Sequence, residues 1–350
     1  MADTGEAFAQ VSLSDDLEKL SPEVAELRVA LQRTQKQLQQ AKQRTEELVE
    51  TTIQACRDAI LAQDKLPPTT APQVAKGSKK KQEVALWHMT DWQGAKQTNS
   101  YNSKVMRKRV MQFAETAIRI TDIQRADHPV NDCVIMFGGD MVEGLFNFPG
   151  QAFEIDATLF EQYVTVSRLL VDVVRYALTN YEKVTVIAEW GNHGRIGSKR
   201  DNVPRSDNFD RMCYELARQL LSSEKRLTWQ ECPDDIQRVQ VGNYKALLIH
   251  GDEVGRNGFA SPNAIVQHVN RWRSGAYNWD FRDVYIGHYH THAEWPMANG
   301  QGSIYQTGST ESDNRYAGIM LAASATPSQR LHFIDPTKGR VTAGYKVWLD

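Results

Sequence analysis

The sequence is short of several things, and each shortage narrows the reading. It has four cysteines in 350 residues, Cys56, Cys133, Cys213 and Cys232. They are scattered with no C-x-x-C pair, which argues against a disulfide framework or a zinc knuckle. No apolar run approaches the ~18 residues of a membrane span. Residues 1–10 have neither a basic stretch nor an apolar core, so no signal peptide is expected there. Charge of one sign is not in excess either. The formal net charge is −2, so any attraction to nucleic acid or to a membrane surface has to be local. A soluble, cytoplasmic protein without a membrane partner is the expectation.

What is present supports a sizeable core. The apolar fraction is 41%, and the length allows one large domain or two smaller ones. Residues 1–21 are polar and are expected to be disordered. Ser21, Pro22 and Glu23 then form a helix start: a cap, a first-turn proline and an acid at the positive end of the dipole. Val24, Leu27, Leu31, Thr34, Leu38, Ala41, Thr45 and Leu48 recur at heptad spacing, and neither glycine nor proline interrupts before Pro67. The pattern predicts one long helix over residues 22–63 with a coiled-coil seam. The seam is imperfect where threonine replaces leucine. A homo-oligomer held by this helix is expected. Residues 64–81 contain Pro67, Pro68, Pro72, Gly77 and three lysines, and read as a linker.

From residue 82 to 350 the pattern is that of a folded body. Apolar runs at residues 84–89, 133–137, 184–188, 246–249 and 284–286 read as strands, with helices over 103–125, 157–180 and 207–221 between them. Each strand ends in residues suited to metal or acid–base chemistry. The first leads to Asp91 and Gln93, the second to Asp140 and Glu143, the third to Asn192 and His193. The fourth ends in His250, and the fifth in Gly287, His288 and His290. At a strand end, residues i and i+2 point the same way. His288 and His290 are therefore expected to face one cavity, and so are Asp91 and Gln93. In α/β sheets, sites gather outside the carboxyl ends of the strands. A donor set mixing carboxylate, amide and imidazole suits Mn²⁺, Fe, Zn²⁺ or Ni²⁺ and has too many nitrogens for Mg²⁺ or Ca²⁺. It is also too large for one ion. One carboxylate bridging two ions ~3.5–4 Å apart is the arrangement used in phosphoester hydrolysis.

With these residues in hand, the chain resembles the calcineurin-like metallophosphoesterases over residues 83–312. The matching positions are Asp91 with Gln93, Gly139 with Asp140, Gly191 with Asn192 and His193, His250, and Gly287 with His288 and His290. The resemblance implies an α/β fold, a sandwich of two mixed β-sheets flanked by helices and preceded here by the long N-terminal helix. It implies two divalent transition-metal ions, Mn²⁺ foremost. Asp91, Asp140 and His290 would hold the first; Asp140, Asn192, His250 and His288 would hold the second. His193 would face the substrate, and Glu143 would orient it. Gln93 departs from the family pattern, which has histidine there; an amide oxygen is a weaker ligand. His88, inside the first strand, reads as a core histidine.

The strand around Trp87 and Asp91 also looks like the opening of SbcD-type repair nucleases and of exonuclease-like phosphoesterases from bacterial viruses. Arg195, Lys199 and Arg200 follow His193. Arg271 and Arg273 flank Trp272, with Tyr277 and Trp279 close behind. Cations interleaved with aromatics suit phosphate contacts and base stacking. The sequence reading is a two-metal phosphodiesterase acting on nucleic acid, specifically an exonuclease-like DNA nuclease. A small-molecule nucleotide phosphoesterase or pyrophosphatase is the alternative. A coiled-coil scaffold carrying a degenerate phosphoesterase body is the third.

Overall fold

The computed structural model describes residues 29–37, 65–72, 81–145, 151–197, 205–231, 234–254, 260–298, 300–313 and 326–350, with single positions at 47, 51, 54, 58 and 62. The segment 1–21 and most of the expected long helix lie outside them. The chain divides into two units, residues 1–57 and 58–350. In the first, residues 29–37 are helical. Leu31, a seam position, is 57% exposed there.

In the second unit, β1 (Glu83–Met89) is buried along its whole length, because both of its faces are covered. Val84 and Leu86 point into the space between two sheets. On the other face, Trp87 packs edge-on against Phe113 and Tyr181, with ring centroids 5.7 and 6.0 Å apart. Strand side chains alternate between faces, so an uninterrupted apolar run is what a strand covered on both sides requires. β2 (Val130–Gly138) and β3 (Lys183–Glu189) repeat the pattern.

These strands build a six-stranded sheet in the order β11-β10-β1-β2-β3-β4, with β4 (Leu227–Trp229), β10 (Ser328–Asp335) and β11 (Arg340–Trp348) completing it. β1 to β4 run parallel, and β10 and β11 are antiparallel to their neighbours. The parallel connections are α1 (Ser103–Arg125), α2 (Leu159–Leu178) and α3 (Phe209–Leu220). Asn102 caps α1 by accepting from two backbone N–H groups, and Thr158 and Glu161 form a capping box on α2.

A second, five-stranded sheet runs β5-β6-β7-β9-β8: β5 (Gln237–Val241), β6 (Tyr244–Ile249), β7 (Asp283–Ile286), β9 (Ser303–Gln306) and β8 (Ala293–Pro296). Val239, Ala246, Leu248 and Tyr285 meet the first sheet across a shared core. The opposite face packs Leu247, Val284 and Ile286 against Ile265 and Val269 of α4 (Pro262–Arg271). The fold is thus the expected sandwich of two mixed sheets flanked by helices. His88 is fully buried, with its Nδ1 2.7 Å from Thr307 Oγ1. Among the described residues no helix is long and apolar enough to cross a membrane.

The stretch read as a linker is tied down where it is described. Leu66 N–H donates to Leu220 O at 3.0 Å and Thr69 N–H to Glu224 Oε1 at 2.5 Å. Arg175 donates to Pro67 O at 2.7 Å and Arg226 to Thr69 Oγ1 at 2.9 Å. Proline-rich chain is extended, and its unpaired carbonyls are good acceptors for such arginines.

Candidate metal centre

The carboxyl ends of β1, β2, β3, β6 and β7 lie at Met89, Gly138, Glu189, Ile249 and Ile286. All the donors come just after these points, in loops, so the alternation of a strand does not aim them as the sequence pattern suggested. Left-handed backbone aims most of them. Seven described non-glycine residues have positive φ, and five are Asp91 (54°), Gln93 (47°), Asp140 (53°), His288 (63°) and His290 (55°). Each such conformation costs on the order of 1 kcal/mol or more, and a concentration of them in one place marks a functional site. Close backbone approach is needed as well. A Cβ on Gly191 would sit 2.0 Å from Asp140 Oδ1, and one on Gly139 2.6 Å from Gly191 N.

The donors form two adjacent groups that meet at Asp140, which is buried. In one group, His250 Nε2 lies 3.2 Å from Asp140 Oδ2 and 3.2 Å from Asn192 Oδ1. His250 Nδ1–H donates to Gly138 O at 2.8 Å, which turns Nε2 toward Asp140 and Asn192. The His250 and His288 rings are 5.1 Å apart. One ligand atom each from Asp140, His250 and His288 lie within 4.8 Å of one another. In the other group, His290 Nε2 is 3.3 Å from Asp91 Oδ1, and Gln93 Nε2 is 3.3 Å from both Asp140 Oδ2 and His290 Nε2. Gln93 Oε1 is buried and, among the described residues, has no hydrogen-bond partner.

The charges lean on one another. Burial disfavours the Asp140 carboxylate, yet His250, His193 and His288 outweigh that and hold it well below the usual carboxylate range. Burial likewise opposes the charged imidazoles, and the acids win. His250 is pushed well above its ordinary value by Asp140. His290 is pushed up to about 10 by Asp91 and Glu311. These are cation-hungry carboxylates using protons as substitutes.

His193 stands at the rim, its side chain 17% exposed. Its Nδ1 is 3.0 Å from Glu143 O and 3.3 Å from Glu143 Oε2. Both are acceptors, so Nδ1 carries a hydrogen. Nε2 then faces the centre, 3.9 Å from Asp140 Oδ2. Burial opposes its charge, but Asp140 and Glu143 raise its pKa to about 9.

Three supporting acids had no signal in the sequence. Glu311 Oε2 receives His290 Nδ1 at 3.1 Å from a buried position. Asp210 accepts from the backbone N–H groups of Met141, Val142 and Gly191, bracing the loops after β2 and β3. Burial and the nearby Asp140 raise its pKa to about 6. Glu154 and Glu143 share the buried Lys96. None follows a strand at the telling spacing, so only the folded chain reveals them.

The expected substrate contacts are not gathered here. Arg195 is engaged by Asp252, which Arg205 also binds, at 2.6 Å. Lys199 and Arg200 lie outside the described residues. Trp272 meets Tyr277, and Tyr277 and Trp279 carry Arg238 and Lys245 over their rings at 5.7–5.8 Å. Lys245 is near the start of β6 and His250 just past its end, so roughly 16 Å of strand separates that cluster from the centre. Arg273 donates to Met297 Sδ. Arg271 is the last residue of α4. Tyr101 donates to Trp92 O, and Arg109 to Thr310 O at 2.8 Å. These bonds hold the start of α1, with its exposed Lys104 and Lys108, beside the Asp91 loop.

No family model matches the chain, and no curated protein does. Solved structures do. Vps29 from Entamoeba histolytica in complex with Zn²⁺ aligns over 76% of this chain and 99% of its own, at 12% identity and a TM-score of 0.35. A hypothetical protein from Pyrococcus horikoshii aligns over 76% and 89%, at 10% identity and a TM-score of 0.35. A predicted phosphoesterase from Streptococcus pneumoniae aligns over 75% and 98%, at 11% identity and a TM-score of 0.29. At such identities and TM-scores these likenesses say nothing of what this chain does.

Proposed function

We propose that the chain is a metal-dependent phosphodiesterase of the metallophosphoesterase kind, with nucleic acid as its substrate and DNA cleavage as its specific activity. The observation that supports it most is Asp140, a buried carboxylate shared by two groups of donors, five of which are set in left-handed backbone.

The residues suit divalent transition metals. The donor set is rich in imidazole and carboxylate, and the buried Gln93 Oε1 is an acceptor still lacking a partner. Asp91, Gln93, Asp140 and His290 would hold one ion; Asp140, Asn192, His250 and His288 would hold the other, Mn²⁺ being the first metal to test. Such ions supply Lewis acidity toward the phosphoryl oxygens and a nucleophile at neutral pH. The chain's own part is positioning and proton delivery. Glu311 fixes the ring of His290, and Gly138 O fixes that of His250. Glu143 holds His193 with Nε2 turned inward, so a protonated His193 can deliver its proton to a departing oxygen.

For a polyanionic substrate, the support is local positive charge: Lys104 and Lys108 are exposed on α1, whose start is bonded to the loops of Trp92 and Thr310. The engagement of Arg195 by Asp252 favours the second reading, a small-molecule nucleotide phosphoesterase or pyrophosphatase. Incubation with Mn²⁺ and single-stranded DNA, duplex DNA or bis-p-nitrophenyl phosphate separates them. Cleavage of DNA supports the first reading, and cleavage of the small ester alone supports the second. Asp140→Ala should abolish activity and both metals. An unchanged metal content in that variant overturns the assignment.

A further inference from the structure

We propose that Lys96 is a positioning residue for His193, acting through Glu143; this rests on the phosphodiesterase reading above. Lys96 is 5% exposed, so it does not meet substrate. Its Nζ lies 3.3 Å from Glu143 Oε1 and 2.7 Å from Glu154 Oε2. Burial opposes the ammonium, and the two carboxylates outweigh it and keep it charged. A buried cation persists only when it is paired in this way.

The backbone around Lys96 joins three parts of the site. Lys96 N–H donates to Gln93 O at 2.8 Å, in the loop that carries two of the metal-facing side chains. Glu143 N–H donates to Gly94 O at 2.9 Å. Gln97 N–H donates to Glu154 O at 2.8 Å, tying in the 3₁₀ turn Gln151–Phe153 just before it. The ammonium therefore sits where the loop after β1, the loop after β2 and this turn meet.

Its effect falls on one oxygen of Glu143. Oε1 receives Lys96 Nζ and also Gln151 Nε2, at 3.2 Å. Oε2 lies 3.3 Å from His193 Nδ1, beside the 3.0 Å hydrogen bond that Nδ1 makes to Glu143 O. With Oε1 held, Glu143 stays in place, its main-chain O accepting from Nδ1–H and its carboxylate alongside, and His193 keeps its Nε2 toward the centre. Lys96 thus holds the acid that holds the acid–base group. Nothing in the spacing of residues 91–96 shows this, because the pairing is between loops.

The test uses the full chain with Mn²⁺ and two phosphodiesters. A thymidine dinucleotide has a poor leaving group that needs a proton; bis-p-nitrophenyl phosphate has a good one that does not. Lys96→Met should lower kcat on the dinucleotide about 10–100-fold, with KM and metal content unchanged and the p-nitrophenyl ester within about threefold. Lys96→Arg should restore the dinucleotide rate to within about threefold. In a Glu143→Gln background, Lys96→Gln should cost nothing more, because residues that act as one unit are not additive. That double variant buries no unpaired charge, so it decides the matter even if Lys96→Met does not fold. In metal-free protein, the His193 Nδ1–H resonance should be present in the natural chain and in Lys96→Arg, and absent in Lys96→Met. Equal losses on both esters, a further loss in the double variant, or an unchanged resonance would each overturn the proposal. If the natural chain cleaves neither ester with any of the metals, the phosphodiesterase reading fails instead, and the resonance still decides the role of Lys96.

Discussion

Gln93 Nε2 lies 3.3 Å from Asp140 Oδ2, so the amide where the resemblance has histidine touches the carboxylate that joins the two donor groups. The neighbouring half-site, built on His250, has no such departure. The site is therefore asymmetric in its ligands, and the predictions below use that asymmetry and the charges around it.

Chemistry and metal binding should separate at His193. Its Nε2 is 3.9 Å from Asp140 and its ring is partly exposed, while its Nδ1 is committed to Glu143. His193→Ala should keep the full metal load and lose ~10²–10⁴-fold in kcat. The loss should be largest on esters with poor leaving groups. Elemental analysis beside steady-state rates checks both halves, and near-normal turnover of a poor leaving group removes His193 from the acid role.

Stability of the metal-free protein should depend on pH in a defined direction. His290 and His193 have folded pKa values raised to about 10 and about 9, above the ordinary 6.5 of an unfolded chain. A raised pKa contributes stability that is complete below about 6.5 and is lost as pH climbs through the folded value. In EDTA, the melting temperature should therefore fall between pH 7 and pH 10. A divalent ion would take the place of the His290 Nε2 proton, so Mn²⁺ should lessen that fall and its binding should release protons. Calorimetry in buffers of different ionisation enthalpy measures the release. A melting temperature in EDTA that holds level to pH 10 would contradict this.

How much of this was legible beforehand follows from where each feature gets its information. The strands β1, β2, β3, β6 and β7 were plain because both of their faces are buried, which writes an unbroken apolar run. Their polar endings gave Asp91, Asp140, His250 and the two histidines after Ile286. β5 was not seen, because its alternating burial mixes glutamine and arginine into five residues. β11 has no such signature, being an edge strand that is mostly exposed. Glu311 reaches His290 and Lys96 reaches Glu143 by tertiary contact between loops, and no local pattern records that. The cationic stretch around Trp272 was legible as composition, but its aromatic partners turned out to bind Arg238 and Lys245 at the far end of the sheet.

The boundary of the folded body is testable by truncation. Removing residues 1–64 keeps Leu66, Pro67 and Thr69 and their bonds to Leu220, Arg175 and Glu224. Removing residues 1–75 strips them and leaves Glu224, 5% exposed, without Thr69. An unsatisfied buried acceptor costs about 1–3 kcal/mol, and each kcal/mol is worth about 2–4 °C in a body of this size. The shorter deletion should melt like the full chain and the longer one several degrees lower. If the helical segment that exposes Leu31 forms the expected coiled coil, both deletions should also reduce the subunit number by light scattering. The same subunit number in all three would remove that segment from assembly.

Gln93 carries the sharpest prediction. Its side chain lies between Asp140 and His290, and its buried Oε1 is without a partner. An amide oxygen is a weaker donor to Mn²⁺ or Zn²⁺ than imidazole, so the half-site of Asp91 and His290 should fill at higher metal concentration than that of His250 and His288. Gln93→His supplies the imidazole and should tighten the weaker half-site by about 1–2 kcal/mol, roughly tenfold. The backbone at residue 93 already has φ 47°, a conformation histidine adopts more readily than most residues, so the substitution should not disturb the loop. The opposing idea is that Gln93 serves the substrate instead, its oxygen awaiting a donor from outside. Under that idea, Gln93→His would shift the preference between DNA and a small ester and leave the metal titration where it was. A Mn²⁺ titration read both by calorimetry and by activity distinguishes the two. Identical half-saturation concentrations in the two proteins would exclude Gln93 from the metal site.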